Sequence, residues 1–287
     1  VVALTRSAER TPQLEQMGAV PVVGDVYDEV RLARLVADSG AEVVIHQLTA
    51  FGTAGGDPYA ETIRVRIEGT RSLVAAARAA RARRFIAQSI SFICSPFGSG
   101  LTDEKTPLYL DSAPAIRALA EAVASLERQT LDAKSMSGTV LRYGWFYGPG
   151  TSYDPQGAIP TAIRKGTMPI VGAGAGTYSF ISLADAAAAT LKVLAQESSG
   201  IYNIVDDSPV RLSEWLPIAA KLLGGPPPGY EDDAAARKRI GDLRVYYMNE
   251  QRGASNAKAK RAFNWQPTFA SWRTGFEALY SRPGDSH

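Results

Sequence analysis

The 287 residues carry a net charge of only +2, and 45% of them are hydrophobic, which is enough to fill the core of one large or two modest domains. The nearly neutral charge argues against nucleic acid or an anionic membrane as a partner, and one cysteine with two histidines argues against a disulfide or a metal site. No apolar run reaches the roughly 20 residues that a membrane helix needs. The composition therefore predicts a cytoplasmic protein without a metal.

Short β-branched strands alternate with helices through the first half of the chain. Strands are predicted at 1–7, 20–23, 42–46, 85–88 and 139–142, and helices at about 30–36, 58–80 and 113–133. This alternation is typical of parallel βαβ units with right-handed crossovers. It predicts an α/β fold with a doubly wound, Rossmann-like parallel sheet.

The composition changes after Tyr143, where Gly, Pro, Thr and Tyr become frequent. A helix at about 184–195 and a strand at 201–205 read as later additions to the same sheet. We therefore expect a dinucleotide-binding domain at 1–145, to which 182–206 return. A small mixed α/β substrate cap is expected to comprise 146–181 and 207–287.

Several motifs occur in the order typical of one family. The strongest is Leu141-Arg142-Tyr143-Gly144-Trp145-Phe146-Tyr147-Gly148-Pro149-Gly150, and weaker ones are Gly24-Asp25-Val26, Val44-Ile45-His46-Gln47-Leu48, Glu68-Gly69-Thr70 and Phe263-Asn264-Trp265-Gln266-Pro267. Together they resemble the extended short-chain dehydrogenase/reductase family, also called NAD-dependent epimerases/dehydratases. This resemblance implies a nicotinamide cofactor and a homodimer formed through the helices near 58–80 and 113–133.

The resemblance also implies a first strand and a glycine-rich turn that hold the pyrophosphate, and residues 1–7 align with the second strand instead. We therefore expect strands 1–7 and 42–46 to flank a vacant central position or a substitute strand. Cofactor binding by this chain alone is expected to be weak, and the natural protein is expected to have the opening segment.

The family pattern assigns cofactor contacts residue by residue. Thr5 stands where an acid would bind the ribose of NAD, and Arg6 and Ser7 suit a 2′-phosphate, so NADP is preferred and NAD is the second choice. An exposed loop arginine is the alternative reading of Arg6. Asp25 is expected at the adenine amino group, although it could be a simple turn residue. The other expected cofactor contacts are Val26, Leu48, Thr49, Ser89, Tyr143 and Gly144.

The usual catalytic pair of the family is absent. No tyrosine is followed by a lysine four residues later, and the best alignment puts Leu119 and Val123 at those positions. Neither side chain can transfer a proton. Ser89, Ser91 and Tyr147 are the remaining catalytic candidates, with strand-end hydrogen bonding and core packing as their structural alternatives.

Position 145 bears on the substrate. Sugar-nucleotide members of the family have Asn where this chain has Trp145, and one indole N–H is a poor ligand for a diphosphate. An aromatic pocket for a small metabolite is predicted instead. The resemblance favours an NAD(P)-dependent oxidoreductase or epimerase, and a non-catalytic NADP-binding sensor or regulator is the alternative. The aromatic residues concerned are Trp145, Phe146, Tyr147, Tyr178 and Phe180.

Overall fold

A computed structural model describes residues 1–49, 58–133 and 135–281. These residues form two compact units. Unit 1 comprises Val1–Ser89, Glu121–Val140 and Ser198–Ile201, and unit 2 comprises Ile90–Ala120, Leu141–Glu197 and the chain from Tyr202 onward. These boundaries differ from the predicted domains by grouping 90–120, 141–145, 182–197 and 202–206 with the C-terminal part, and the predicted functional division remains a prediction.

The strands and helices are short and follow the predicted order. The strands are β1 (Val2–Thr5), β2 (Val20–Val23), β3 (Val43–His46), β4 (Arg84–Ile90), β5 (Ser137–Tyr143), β6 (Trp145–Tyr147), β7 (Ile170–Val171), β8 (Thr177–Tyr178), β9 (Phe180–Ser182), β10 (Gly200–Ile204), β11 (Val210–Arg211) and β12 (Tyr230–Glu231). The α-helices are α1 (Thr11–Gln16), α2 (Glu29–Asp38), α3 (Pro58–Arg64), α4 (Thr70–Ala79), α5 (Pro114–Leu131), α6 (Ala158–Arg164), α7 (Leu183–Ala195), α8 (Leu212–Leu222), α9 (Asp233–Ile240), α10 (Asp242–Val245), α11 (Ala257–Phe263) and α12 (Trp272–Tyr280).

The predicted α/β class with a parallel, Rossmann-like sheet is confirmed. β1 pairs in parallel with β2, and β3 pairs in parallel with β4 within a four-stranded sheet of order β10-β5-β4-β3. Among the described residues, no strand joins the β1-β2 pair to that sheet. That the strands at 1–7 and 42–46 flank a vacant position or a substitute strand stays a prediction.

The predicted helices and strands of the first half are also confirmed. The helical stretch expected at 58–80 is α3, a π-helical turn at Val65–Gly69 and α4, and the one expected at 113–133 is α5. β4 is buried at all but one of its positions, as a central strand of a covered sheet should be. Asp28 caps α2 by accepting a hydrogen bond from the Arg31 amide at 3.0 Å.

His46 fixes the end of β3 within unit 1. Its ring is 2% exposed, and its Nδ1 accepts a hydrogen bond from the Leu48 amide at 3.3 Å. Its Nε2 therefore carries the hydrogen that is donated to the Thr70 hydroxyl, 3.0 Å away. Burial, followed by the charge of Arg66, lowers the pKa of His46 to about 4. The ring is neutral at physiological pH and has a structural role.

Unit 2 is built around an aromatic core. Phe180, Trp215 and Phe276 are completely buried and lie 5.1–6.3 Å apart as ring centroids. β6 pairs in parallel with β9 beside this core. The Ser182 hydroxyl caps α7 by accepting the Asp185 amide at 3.0 Å, while the Asp185 carboxylate accepts the Thr268 and Phe269 amides at 2.6 and 3.1 Å.

One arginine ties a distant loop into unit 2. The Arg252 guanidinium donates to the backbone carbonyls of Phe97, Ser99 and Gly100 at 2.6, 2.7 and 2.9 Å. A side chain at Gly98 would approach this guanidinium, and the backbone there has a φ of +102°. The loop conformation therefore depends on both Gly98 and Arg252. Separately, among the described helices none has the length and apolar character needed to cross a bilayer.

Candidate functional site

The strand end at β1 carries the residues that the sequence links to the cofactor ribose. The Ser7 amide donates to the Thr5 hydroxyl at 3.2 Å, so Thr5 closes the turn. The Arg6 side chain is 51% exposed and lies 3.7 Å from a Glu61 carboxylate oxygen. Because an exposed pair at this distance contributes at most about 1 kcal/mol, the guanidinium can exchange Glu61 for a ligand anion.

Glu61 also organises residues that the sequence analysis missed. Its carboxylate accepts the Tyr27 hydroxyl at 3.0 Å, and the Arg64 guanidinium lies 3.9 Å from the Tyr27 ring centroid. Burial, followed by the hydrogen bond to Glu61, raises the pKa of Tyr27 to about 12. Glu61 lies 55 positions from Arg6 in the chain and belongs to none of the motifs, so no local signal pointed to it.

The end of β2 presents the predicted adenine contacts. The Asp25 carboxylate accepts the Tyr27 amide at 3.0 Å and is otherwise exposed, while Val26 is 4% exposed and packs in the core of unit 1. Leu48 is half-buried and Thr49 is exposed after β3. Asp25 thus has the turn geometry of its alternative reading and also retains an accessible carboxylate. Adenine contact stays a prediction.

These groups fit the adenosine half of a nicotinamide dinucleotide. Arg6 and Asp25 follow neighbouring parallel strands, and both side chains are exposed. In open α/β sheets such carboxyl ends are where dinucleotides bind. Gly24 directly precedes Asp25, and a Cβ there would be 2.6 Å from the Leu35 side chain, so a larger residue would require Leu35 to move.

Ser89, a predicted catalytic and cofactor-binding residue, has a buried partner. Its hydroxyl donates to the Glu127 carboxylate at 2.9 Å, and Ser89 is completely buried. The partner is a side chain and not the strand-end backbone group of the structural alternative, and the catalytic role of Ser89 stays a prediction. On α5, Leu119 and Val123, which the sequence alignment puts at the positions of the usual catalytic pair, are 1% and 0% exposed.

Ser91 and Tyr143 meet through their backbones in unit 2. The Ser91 amide donates to the Tyr143 carbonyl at 2.9 Å. Thr190 donates to the Ala186 carbonyl at 2.7 Å, so the Tyr143 phenol donates to the Thr190 hydroxyl at 2.6 Å. A Cβ on Gly144 would lie 2.3 Å from the Ser179 carbonyl oxygen, so only glycine fits there. The Tyr143 side chain is thus structural, and the cofactor contact of Tyr143 and Gly144 stays a prediction.

Tyr147 is a core residue of unit 2. It is 2% exposed, and its ring packs edge-on against Phe276 with centroids 5.4 Å apart. Its hydroxyl has no hydrogen-bond partner among the described residues. Burial, followed by the carboxylates of Asp206 and Asp185, raises the pKa of Tyr147 well above its usual value, so the phenol stays protonated. The geometry matches core packing, and proton transfer by Tyr147 stays a prediction.

An aromatic cluster is formed by Phe92, Trp145, Tyr178 and Tyr247. The rings of Phe92 and Trp145 stack with centroids 4.1 Å apart and planes 19° apart, and Tyr247 meets Trp145 edge-on at 5.1 Å. Phe92 and Trp145 are half-buried, whereas Tyr178 and Tyr247 are 3% and 7% exposed. The aromatic residues predicted around the substrate divide accordingly: Trp145 reaches the surface of unit 2, while Tyr147, Tyr178 and Phe180 lie in its core.

Comparison with known proteins agrees with this arrangement. A model of the NAD dependent epimerase/dehydratase family matches residues 1–205. A 3-diazoavenalumate denitrifying reductase from Streptomyces sp is 40% identical over 279 residues, covering 96% of this chain and 90% of that protein. A 4-hydroxy-2-methyl-3-oxo-4-farnesyl-3,4-dihydroquinoline-1-oxide ketoreductase from Stigmatella aurantiaca is 27% identical over 230 residues, covering 78% of this chain and 66% of that protein.

The fold is shared with solved structures at low sequence identity. A dTDP-glucose 4,6-dehydratase from Streptomyces venezuelae, solved with NAD, superposes with a TM-score of 0.72 at 20% identity and covers 91% of this chain and 78% of that chain. At this identity the likeness concerns the fold alone. The family match over most of the chain and the 40% identical relative agree with each other, and the chain belongs to the NAD-dependent epimerase/dehydratase family.

Proposed function

We propose that this protein is a nicotinamide-dependent reductase that removes a diazo group from a small aromatic metabolite and replaces it with hydrogen. The observation that carries the proposal is the 40% identity, over 96% of this chain, to a reductase named for a diazo substrate and for loss of its nitrogen. The aromatic cluster supports a flat substrate, and Trp145 disfavours a nucleotide sugar.

The buried apolar residues at the usual catalytic positions fit this chemistry. A ketone that accepts hydride becomes an alkoxide and needs a proton, which the family's tyrosine and lysine would supply. An arenediazonium ion that accepts hydride forms a C–H bond, loses its C–N bond and releases neutral N2, so the site has no proton to deliver. Leu119 and Val123 are therefore compatible with denitrifying reduction and unsuited to carbonyl reduction.

The bound cofactor would supply the hydride. We assign its 2′-phosphate to Arg6 and Ser7, its adenine to Asp25 and Val26, and its nicotinamide side to the backbone at Tyr143 and Gly144, with Leu48, Thr49 and Ser89 as the remaining contacts. NADP is favoured because Thr5 replaces the acid that would bind an unphosphorylated ribose. NAD is the second choice.

The test is turnover of an arenediazonium salt that also bears a phenol and a carboxylate. We expect NADPH oxidation and N2 release in equal amounts, above the rate with heat-denatured protein, and deuterium transfer from labelled NADPH to the ring carbon that held nitrogen. Turnover of ketones but not of the diazonium salt would overturn the proposal.

A second candidate is an NADP-binding sensor, favoured by the same loss of the catalytic pair. It predicts that NADPH fluorescence changes on addition of protein without turnover of any diazo or carbonyl substrate. If the full-length natural protein leaves NADPH and NADH fluorescence unchanged, both candidates fail.

We also propose a homodimer through the helices near 58–80 and 113–133, which include α4 and α5. These helices border a groove of about 310 Å³ in unit 1, whose edges carry exposed cationic and polar side chains. The groove is lined by Arg71, Val74, Ala75, Arg78, Arg128, Gln129 and Asp132. Light scattering should give the mass of two chains, and Ala75→Glu should shift it toward one, whereas a monomeric parent protein would refute the dimer.

A further inference from the structure

The partly open edge of the aromatic cluster lies beside a buried amide without a full set of partners. Gln251 is 1% exposed, and its Oε1 accepts the Trp145 indole N–H at 3.3 Å. Its Nε2 is buried and has no hydrogen-bond partner among the described residues. A buried donor without an acceptor costs about 1–3 kcal/mol, which a ligand oxygen would recover.

The backbone holds Gln251 in place. Its amide donates to the Tyr246 carbonyl at 2.8 Å, and its carbonyl accepts the Thr177 amide at 2.8 Å. It follows the π-helical turn Tyr246–Glu250, a type of irregularity that is frequent at functional sites. The side chain is therefore anchored at both ends, by its backbone and by the indole of Trp145.

We infer that Phe92, Trp145 and Gln251 form the substrate subsite and that it takes a flat aromatic ring bearing an oxygen acceptor, either a phenolate or a carboxylate. The half-buried stacked pair supplies aromatic surface on unit 2, and the Gln251 amide supplies the donor. An indole is also the best aromatic partner for a cationic group such as a diazonium. This assignment rests on the proposed function and specifies which residues select its substrate.

Trp145 provides a direct readout. The other three tryptophans, Trp215, Trp265 and Trp272, are 0%, 2% and 3% exposed, whereas Trp145 is half-buried. An unreactive ligand that stacks at the subsite should quench Trp145 fluorescence without cofactor or turnover. The probe is 4-hydroxycinnamate, with two analogues that each lack one acceptor: cinnamate has no phenol oxygen, and 4-propenylphenol has no carboxylate.

The decisive variant is Gln251→Leu, with Gln251→Glu as a shape-conserving alternative and the exposed Gln156→Leu as the matched control. We expect Gln251→Leu to weaken 4-hydroxycinnamate binding about tenfold, the value of one hydrogen bond. The analogue that lacks the oxygen bound by Gln251 should lose much less affinity in Gln251→Leu. Gln251→Glu should weaken the binding of anionic ligands further. The Trp145→Phe variant should still bind 4-hydroxycinnamate, but its fluorescence should no longer be quenched.

Two results would overturn the subsite: no quenching by any aromatic acid, or equal affinity in the parent and both Gln251 variants while their unfolding curves match. The failures of the two proposals can be told apart. Quenching with the expected dependence on Gln251, in a protein that reduces no diazonium, supports the subsite and rejects the reductase.

Discussion

Ser89 donates its hydroxyl hydrogen to the Glu127 carboxylate at 2.9 Å inside unit 1, where both residues are buried. Ser89→Ala would leave that carboxylate with one donor fewer, so the free energy of unfolding should fall by about 1–3 kcal/mol. Urea denaturation measures this, with Ser91→Ala as the matched serine control. If Ser89→Ala keeps its stability and loses turnover, the predicted catalytic role is right and the structural one is wrong.

Gly275 and Tyr147 define a second test. A Cβ at Gly275 would lie 2.0 Å from the Tyr147 hydroxyl oxygen and 2.5 Å from the ring carbon that carries it. Gly275→Ala should therefore destabilise unit 2 by about 1–3 kcal/mol or more through overpacking. Tyr147→Phe removes a buried hydroxyl that has no described partner and should be neutral or slightly stabilising.

The double variant Gly275→Ala/Tyr147→Phe should recover part of the stability lost in Gly275→Ala. It removes the contact with the Tyr147 hydroxyl oxygen and keeps the longer contact with the ring carbon. Thermal unfolding of the two single variants and the double variant checks this, and full additivity would contradict the contact. Turnover of Tyr147→Phe separates the roles: a fold of normal stability without activity would identify Tyr147 as a proton donor.

Asp206 should make the free energy of unfolding depend on pH. Burial raises the pKa of its carboxyl to about 7, and the Oδ2 atom has no hydrogen-bond partner among the described residues. The unfolded chain loses this proton near pH 4, so the folded state is favoured at low pH and loses up to about 4 kcal/mol as the pH rises to 7.

Asp206→Asn cannot titrate. Relative to the parent, its free energy of unfolding should therefore be higher at pH 8 than at pH 5, two values that bracket the folded pKa of about 7. Denaturation at several pH values measures the difference, and the exposed Asp111→Asn provides the matched control. A difference that does not change with pH would show that Asp206 is charged in the folded protein.

Cofactor choice should depend on the Arg6–Glu61 pair. Arg6→Ala should raise the Kd for NADPH about tenfold and leave that for NADH nearly unchanged, because only NADPH has the 2′-phosphate. Glu61→Gln removes the anion that competes for Arg6 and should tighten NADPH binding. Arg10→Ala serves as a nearby exposed control. Equal effects on both cofactors would place the phosphate elsewhere.

The fold was largely predictable because its strands are β-branched runs and its helices have a consistent apolar face. The strands β2 and β3 and the helices α5 and α7 lie within a few residues of their predicted positions. Such features depend on neighbours in the chain, which a single sequence displays. The π-helical turns and the short strands of unit 2 depend on tertiary packing, and the sequence did not predict them.

The candidate site was predictable only in part, for the same reason. The strand-end residues Thr5, Arg6 and Asp25 follow from motif position. Glu61 and Gln251 act through side chains distant in sequence, since Glu61 pairs with Arg6 and Gln251 bonds to Trp145. No local pattern marks either residue, and only the folded chain brings the partners together.

The Arg252 contacts bear on how this protein can diversify. The guanidinium bonds to main-chain oxygens of Phe97, Ser99 and Gly100, so this anchor does not depend on the side chains of that loop. Phe97 is 72% exposed and stacks edge-on over Tyr109. Evolution or a directed library can therefore exchange Ser99 freely, and Phe97 with loss of its contact to Tyr109, while the loop keeps its course, provided that Arg252 and Gly98 are kept.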